Sequence, residues 1–233
     1  MNYTNIFFNS LLHLIYPKCC AGCGSDLISG KHLICLECIN ELPLTDYFMH
    51  AGNPVEKIFW GRLPLVAAGS QVYFTRQSVI RNLLHQFKYR GNKEIGLYFG
   101  RMIGETLARA ERFADVDGLI PLPLFYKKEK KRGYNQAAVI CEGISEVMNV
   151  PVWGDVVARR KNTETQTHRS RMERWDNIEG KFELKKDHMI MDKHVLLVDD
   201  VITTGATLES CGTEILKAKG VRLSVASLAY TSL

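Results

Sequence analysis

Apolar and polar positions along this chain alternate between two periods. Strand-length apolar runs occupy Val66 to Phe74, Gly118 to Leu124 (interrupted by prolines), Val150 to Ala158, Gly180 to Leu184, Lys193 to Val198 and Val221 to Tyr230. Helical spacing covers Gln77 to Tyr89 before Gly91, Ile95 to Phe113, Asn135 to Met148, and Ala206 to Lys219 before Gly220. Strands alternating with helices predict a parallel α/β sheet flanked by helices, with ligands at the carboxyl ends of its strands. Upstream, Pro43, Gly52, Pro54, Gly61 and Pro64 forbid any long helix over residues 39–66. Ile6 to Ile15 is apolar on one helical face and reads as a short docking helix ended by Pro17. That run is too short to cross a bilayer, so no transmembrane segment is expected. No Lys or Arg precedes it, which makes a poor export signal, so the expected location is cytoplasmic, with thiols reduced. The expected organisation is a helix and cysteine module over 1–45, a linker over 46–66 and the α/β domain over 67–233.

The run Val195-Leu-Leu-Val-Asp-Asp-Val-Ile-Thr-Thr-Gly-Ala-Thr207 departs from the apolar pattern in an informative way. A strand apolar on both faces lies inside a parallel sheet, which puts Asp199 and Asp200 at its carboxyl end. Thr203, Thr204, Gly205, Ala206 and Thr207 then form the turn into the next helix, whose first amides favour an anion. Two acids able to accept from sugar hydroxyls, beside a donor-rich cup, describe a ribose 5-phosphate site. An N-cap turn with surface acids would explain one Thr and one Asp, not the whole set.

Five of the seven cysteines fall within residues 19–38. Cys20-x2-Cys23 and Cys35-x2-Cys38 are paired knuckles, which in a reduced compartment point to structural zinc on four thiolates. Cys19 is a spare that could replace Cys20 at x3 spacing. Cys141 and Cys211 stand singly in helical patterns and read as core.

Hydrophobic residues make up 46% and charged residues 24%, as in ordinary globular proteins. The formal charge of +5 is concentrated: residues 127–134 hold five basic groups against one acid, and residues 159–174 six against two. Two basic loops around one site favour an anionic ligand, a polyphosphate or a nucleic-acid backbone. Tyr134 and Trp175 at their margins would suit stacking of unpaired bases on single-stranded DNA.

Over Val195 to Thr207 the chain resembles the type I phosphoribosyltransferases. Phe87-Lys-Tyr-Arg-Gly91, Pro121-Leu-Pro followed by Lys131-Arg-Gly-Tyr-Asn-Gln136, and the spaced set Thr163, Gln166, Arg171, Arg174 and Asn177 resemble the ComF competence family, as does the four-cysteine module. The resemblance implies that Asp199 and Asp200 take the ribose hydroxyls of phosphoribosyl pyrophosphate (PRPP), and that Thr203 to Thr207 take its 5-phosphate. It also implies that magnesium accompanies PRPP and that the basic loop closes over pyrophosphate. Arg132, Arg171 and Arg174 are the expected phosphate contacts, with Arg171 counted beside the acids as a candidate catalytic group. The family role implied is uptake of transforming DNA at the cytoplasmic face, with membrane-associated uptake helicase or channel proteins as partners. The alternative is a metabolic phosphoribosyltransferase of nucleotide salvage or synthesis.

Overall fold

The computed structural model describes residues 19–26, 28, 32–75, 78–160 and 182–231. The expected docking helix at 6–15 and most of the basic segment 159–174 lie outside them.

Strands β1 (Ala68–Tyr73), β2 (Gly118–Pro121), β5 (His194–Ile202) and β6 (Arg222–Tyr230) form a sheet in the order β1-β6-β5-β2, with every pairing parallel. A separate antiparallel hairpin joins β3 (Val157–Arg159) to β4 (Phe182–Leu184). Among the described residues the α-helices are α1 (Leu36–Asn40), α2 (Pro54–Phe59), α3 (Val79–Tyr89), α4 (Lys93–Arg109), α5 (Tyr126–Arg132), α6 (Gln136–Met148) and α7 (Ala206–Ile215).

Successive side chains of a strand point to opposite faces, and β5 shows why its sequence carries no polar alternation. Leu196 and Val198 enter a core shared with α3, α4, α6 and the cysteine module. Val195 and Leu197 enter a second core shared with α2 and α7. Both faces are covered, so both must be apolar. On the first face α4 and α6 meet backbone to backbone. A Cβ on Gly100 would lie 2.4 Å from the Ile140 carbonyl oxygen, and one on Gly143 would lie 2.5 Å from that of Leu97.

Three elements differ from the pattern expected of the sequence. The acids do not follow the end of β5; the strand runs through them, with Asp199 opposite Ser227 and Ile202 opposite Tyr230. β6 is equally long, and its pairing carries β5 on to Ile202. The basic stretch 127–134 is largely helical: Lys, Arg and Glu are good helix formers, and Gly133 at φ 81° ends α5 in the left-handed region. Segment 46–66 is held firmly, with Phe48, Val55 and Phe59 in the cores. Asn53 caps α2 by accepting from the Val55 and Glu56 amides, and its amide group donates to Tyr47 and Ala68 carbonyls at 2.7 and 2.8 Å. Buried Glu56 accepts from the Gly52 and Ala68 amides and pairs with Arg112 at 2.5 Å.

The amino-terminal rim of the sheet is tied together by His194, which is fully buried. Its Nδ1 lies 2.6 Å from Asp115 Oδ1 and its Nε2 lies 2.8 Å from Ser224 Oγ on β6, while its backbone amide donates to Asp117 at 2.8 Å. The contacts of His194, and then of Arg222, hold the Asp115 carboxyl below the usual carboxylate range. This rim lies at the end of β5 opposite the acid pair, so the pin steadies the sheet away from the site.

Candidate functional site

At the carboxyl end of β5, Asp199 and Asp200 are half-buried. Burial, and then the neighbouring Asp200 charge, push the Asp199 carboxyl up to about 7. Its Oδ1 accepts from the Asp200 amide at 2.7 Å. Asp200 Oδ2 lies 3.0 Å from the Lys88 ammonium, with both side chains largely shielded from water. In the sequence Lys88 stands out only as part of the Phe87–Gly91 stretch. Its signal was its place at the last turn of an amphipathic helix that packs on the sheet.

The next turn sits over α2. Thr203, Thr204, Ala206 and Thr207 are exposed and Gly205 is buried. With Asp199 they line a shallow cup of about 40 Å³. Gly205 has φ +72°, and a Cβ there would lie 2.7 Å from Ile58 Cγ2 and 2.9 Å from Phe59 Cε1. Glycine is therefore required by backbone conformation and by the helix beneath it. Arg62 braces the turn from the same side: its Nη1 donates to the Thr204 and Ile58 carbonyls at 3.1 and 3.0 Å, and it pairs with Glu209 in the first turn of α7. The segment expected as a linker thus buttresses this turn, a role that only tertiary contacts reveal.

Cations surround the mouth. Arg132, at the end of α5, donates to Gln136 Oε1 at 2.6 Å and stands 5.7 Å over the Tyr89 ring. The Arg159 guanidinium lies 5.7 Å from the Phe125 ring and 5.2 Å from Phe182. Desolvation there lowers its pKa. Arg171 and Arg174 lie outside the described residues, as do Thr163, Gln166, Asn177 and Trp175. Tyr134 is not a stacking platform: it is 8% exposed, its hydroxyl donates to the Phe87 carbonyl, and it belongs to the core. Among the described residues the aromatics exposed beside the basic helix are Tyr89 and Tyr126, at 61% and 60%.

A directly coordinated magnesium would have to compete with the ammonium that already holds Asp200 Oδ2. The cysteines fit a thiophilic metal well. One sulfur each of Cys20, Cys23, Cys35 and Cys38 lies within 4.8 Å of the others, and Cys23 Sγ is 3.8 Å from Cys35 Sγ. Tetrahedral Zn–S bonds of about 2.3 Å put sulfurs about 3.8 Å apart. Cys19 is exposed and outside the cluster, so Cys20 is the fourth member. Burial acts to raise the Cys20 pKa, but the Cys35, Cys23 and Gly22 amides outweigh it and bring the thiol down to about 6. Burial, and then the other sulfurs, raise that of Cys38. Four sulfurs this close ionise together only around a cation. The first knuckle is docked on α3, where Gln86 and Asn82 donate to the Ala21 and Gly22 carbonyls at 2.6 and 3.2 Å.

The family model for the phosphoribosyl transferase domain matches residues 135–231, which include the acid pair, the threonine turn and β6. Competence protein F of Haemophilus influenzae is 28% identical over 94% of this chain and 93% of its own length. DNA utilization protein YhgH of Escherichia coli strain K12 is 26% identical over 94% of this chain and 99% of its own. Competence protein ComFC of Bacillus subtilis is 30% identical over 66% of this chain and 60% of its own. With a type I phosphoribosyltransferase-like sheet preceded by a four-cysteine cluster, the chain is similar to the ComF competence proteins along nearly its whole length.

Proposed function

We propose that this chain binds PRPP or a nucleotide 5-phosphate through Asp199, Asp200 and the Thr203–Thr207 turn, and that it serves DNA handling in competence on the cytoplasmic side. The observation that carries the reading is the juxtaposition at one strand end. Carboxylate acceptors for sugar hydroxyls adjoin a turn whose exposed threonines and following helix amides suit a phosphate. Arg132, Arg171 and Arg174 are assigned to the phosphates. Structural zinc on Cys20, Cys23, Cys35 and Cys38 belongs to the same proposal.

The relatives' names, competence protein and DNA utilization protein, support a role close to DNA. Single-stranded DNA is the proposed nucleic acid. α5 presents Lys127, Lys128, Lys130 and Lys131 on an exposed surface, with Tyr89 and Tyr126 nearby as stacking faces in place of Tyr134. Calorimetric titration of PRPP into the wild type and into Asp199→Asn/Asp200→Asn tests the site. The double variant should bind at least about tenfold more weakly, the size of one charge-assisted hydrogen bond. Equal affinity would refute the assignment. Pyrophosphate release on adding a free nucleobase would instead favour a metabolic transferase.

A further inference from the structure

Lys88 reaches the acid pair from the last turn of an anchored helix. α3 buries Ile80, Leu83, Leu84 and Phe87, is tied to the first cysteine knuckle through Asn82 and Gln86, and has its Phe87 carbonyl taken by the Tyr134 hydroxyl. The ammonium stands 3.0 Å from Asp200 Oδ2, with side chains only 20% and 14% exposed. A shielded ion pair delivered by a fixed helix end is not a surface accident, and removing one partner leaves an uncompensated charge in the site. The contact from the Asp200 amide to Asp199 Oδ1 and the contact to Lys88 use one oxygen of each acid. Among the described residues no other hydrogen bond or ion pair engages the second oxygens, which suits them to accept from a vicinal diol.

Magnesium needs near-octahedral oxygen ligands at about 2.0–2.1 Å. To reach Asp200 Oδ2 it would have to displace a cation already in place. We propose that Lys88 supplies, from within the chain, the positive charge that the acid pair needs beside a phosphate. A 5-phosphorylated pentose without pyrophosphate then binds here with no divalent cation. The ligand class is ribose 5-phosphate, a nucleoside 5-monophosphate or a 5-phosphorylated strand end. Full PRPP can still bring its own magnesium on the pyrophosphate. This inference rests on the phosphoribosyl reading of the site.

The test is titration of ribose 5-phosphate into the full chain, in buffer cleared of divalent ions by chelating resin before protein is added, and again with millimolar magnesium. The wild type should bind equally in both, within about twofold. Lys88→Met should lose about tenfold without magnesium, one charge-assisted contact, and magnesium should restore part of that loss. Lys88→Arg should keep the wild type's indifference to magnesium. Wild-type binding that appears only with magnesium overturns the inference and leaves the site reading standing, and this comparison holds even if Lys88→Met does not fold. Lys88→Met matching the wild type in both buffers also overturns it. No binding by the wild type in either buffer removes the site reading and the inference together.

Discussion

Asp199 combines two properties that pull against each other: a ribose-facing acid should be charged, yet burial and Asp200 push its carboxyl up to about 7. In the unfolded chain an aspartate ionises near pH 4. Between about pH 4 and 7 the folded chain holds a proton that the unfolded chain has lost, so this group lowers stability as pH rises through that window. Asp199→Asn removes the dependence. Its melting temperature should match the wild type near pH 4, rise above it toward pH 7 and keep a constant lead beyond, as thermal melts at several pH values would show. A constant offset at every pH would mean that Asp199 is ionised in the folded chain. The two acids, the threonine turn and the four cysteines could be read from the sequence because each is a short contiguous pattern. Lys88 and Arg62 could not, since Lys88 reaches Asp200, and Arg62 reaches Thr204, from distant parts of the chain. Tyr134 misled for the related reason that exposure is set by the elements packed around a ring, not by its charged neighbours.

Among the elements, the parallel sheet and the helices α3, α4, α6 and α7 follow from periodicity, with boundaries shifted by a few residues. The α4–α6 contact depends on glycines whose helical spacing did not reveal their purpose. Gly100→Ala puts a methyl group 2.4 Å from the Ile140 carbonyl oxygen. It should cost about 1–3 kcal/mol, as overpacking does, read from the urea midpoint. An unchanged midpoint would mean the two helices separate freely. α5 is the element on which nucleic-acid binding turns. Replacing Lys127, Lys128, Lys130 and Lys131 by Ala should weaken single-stranded oligonucleotide binding in fluorescence anisotropy. The log–log salt slope should flatten by about 0.7 for each phosphate that is no longer neutralised. Tyr89→Ala should lower affinity with the slope retained, because stacking releases no counterions. Absence of any binding at low salt would remove DNA from this surface.

For the whole molecule, the cysteine knuckle, α3 and the acid pair form one mechanical series, from the Ala21 and Gly22 carbonyls through Gln86 and Asn82 to Lys88. Protein purified without chelators should carry one zinc per chain by elemental analysis. Cys20→Ser should lose the metal and Cys19→Ser should keep it, while zinc retained in Cys20→Ser would shift the ligand set to Cys19. Length and composition alone made segment 46–66 look like a spacer, although Asn53, Glu56 and Arg62 bind it to the sheet and the threonine turn. The central claim is that this turn receives the 5-phosphate, and amide hydrogen exchange with and without ribose 5-phosphate addresses it most directly. Exchange should slow only in the peptide spanning Thr203 to Leu208 and in the adjoining end of β5. Saturating ligand that leaves those amides unchanged, or that protects only a distant surface, would contradict it.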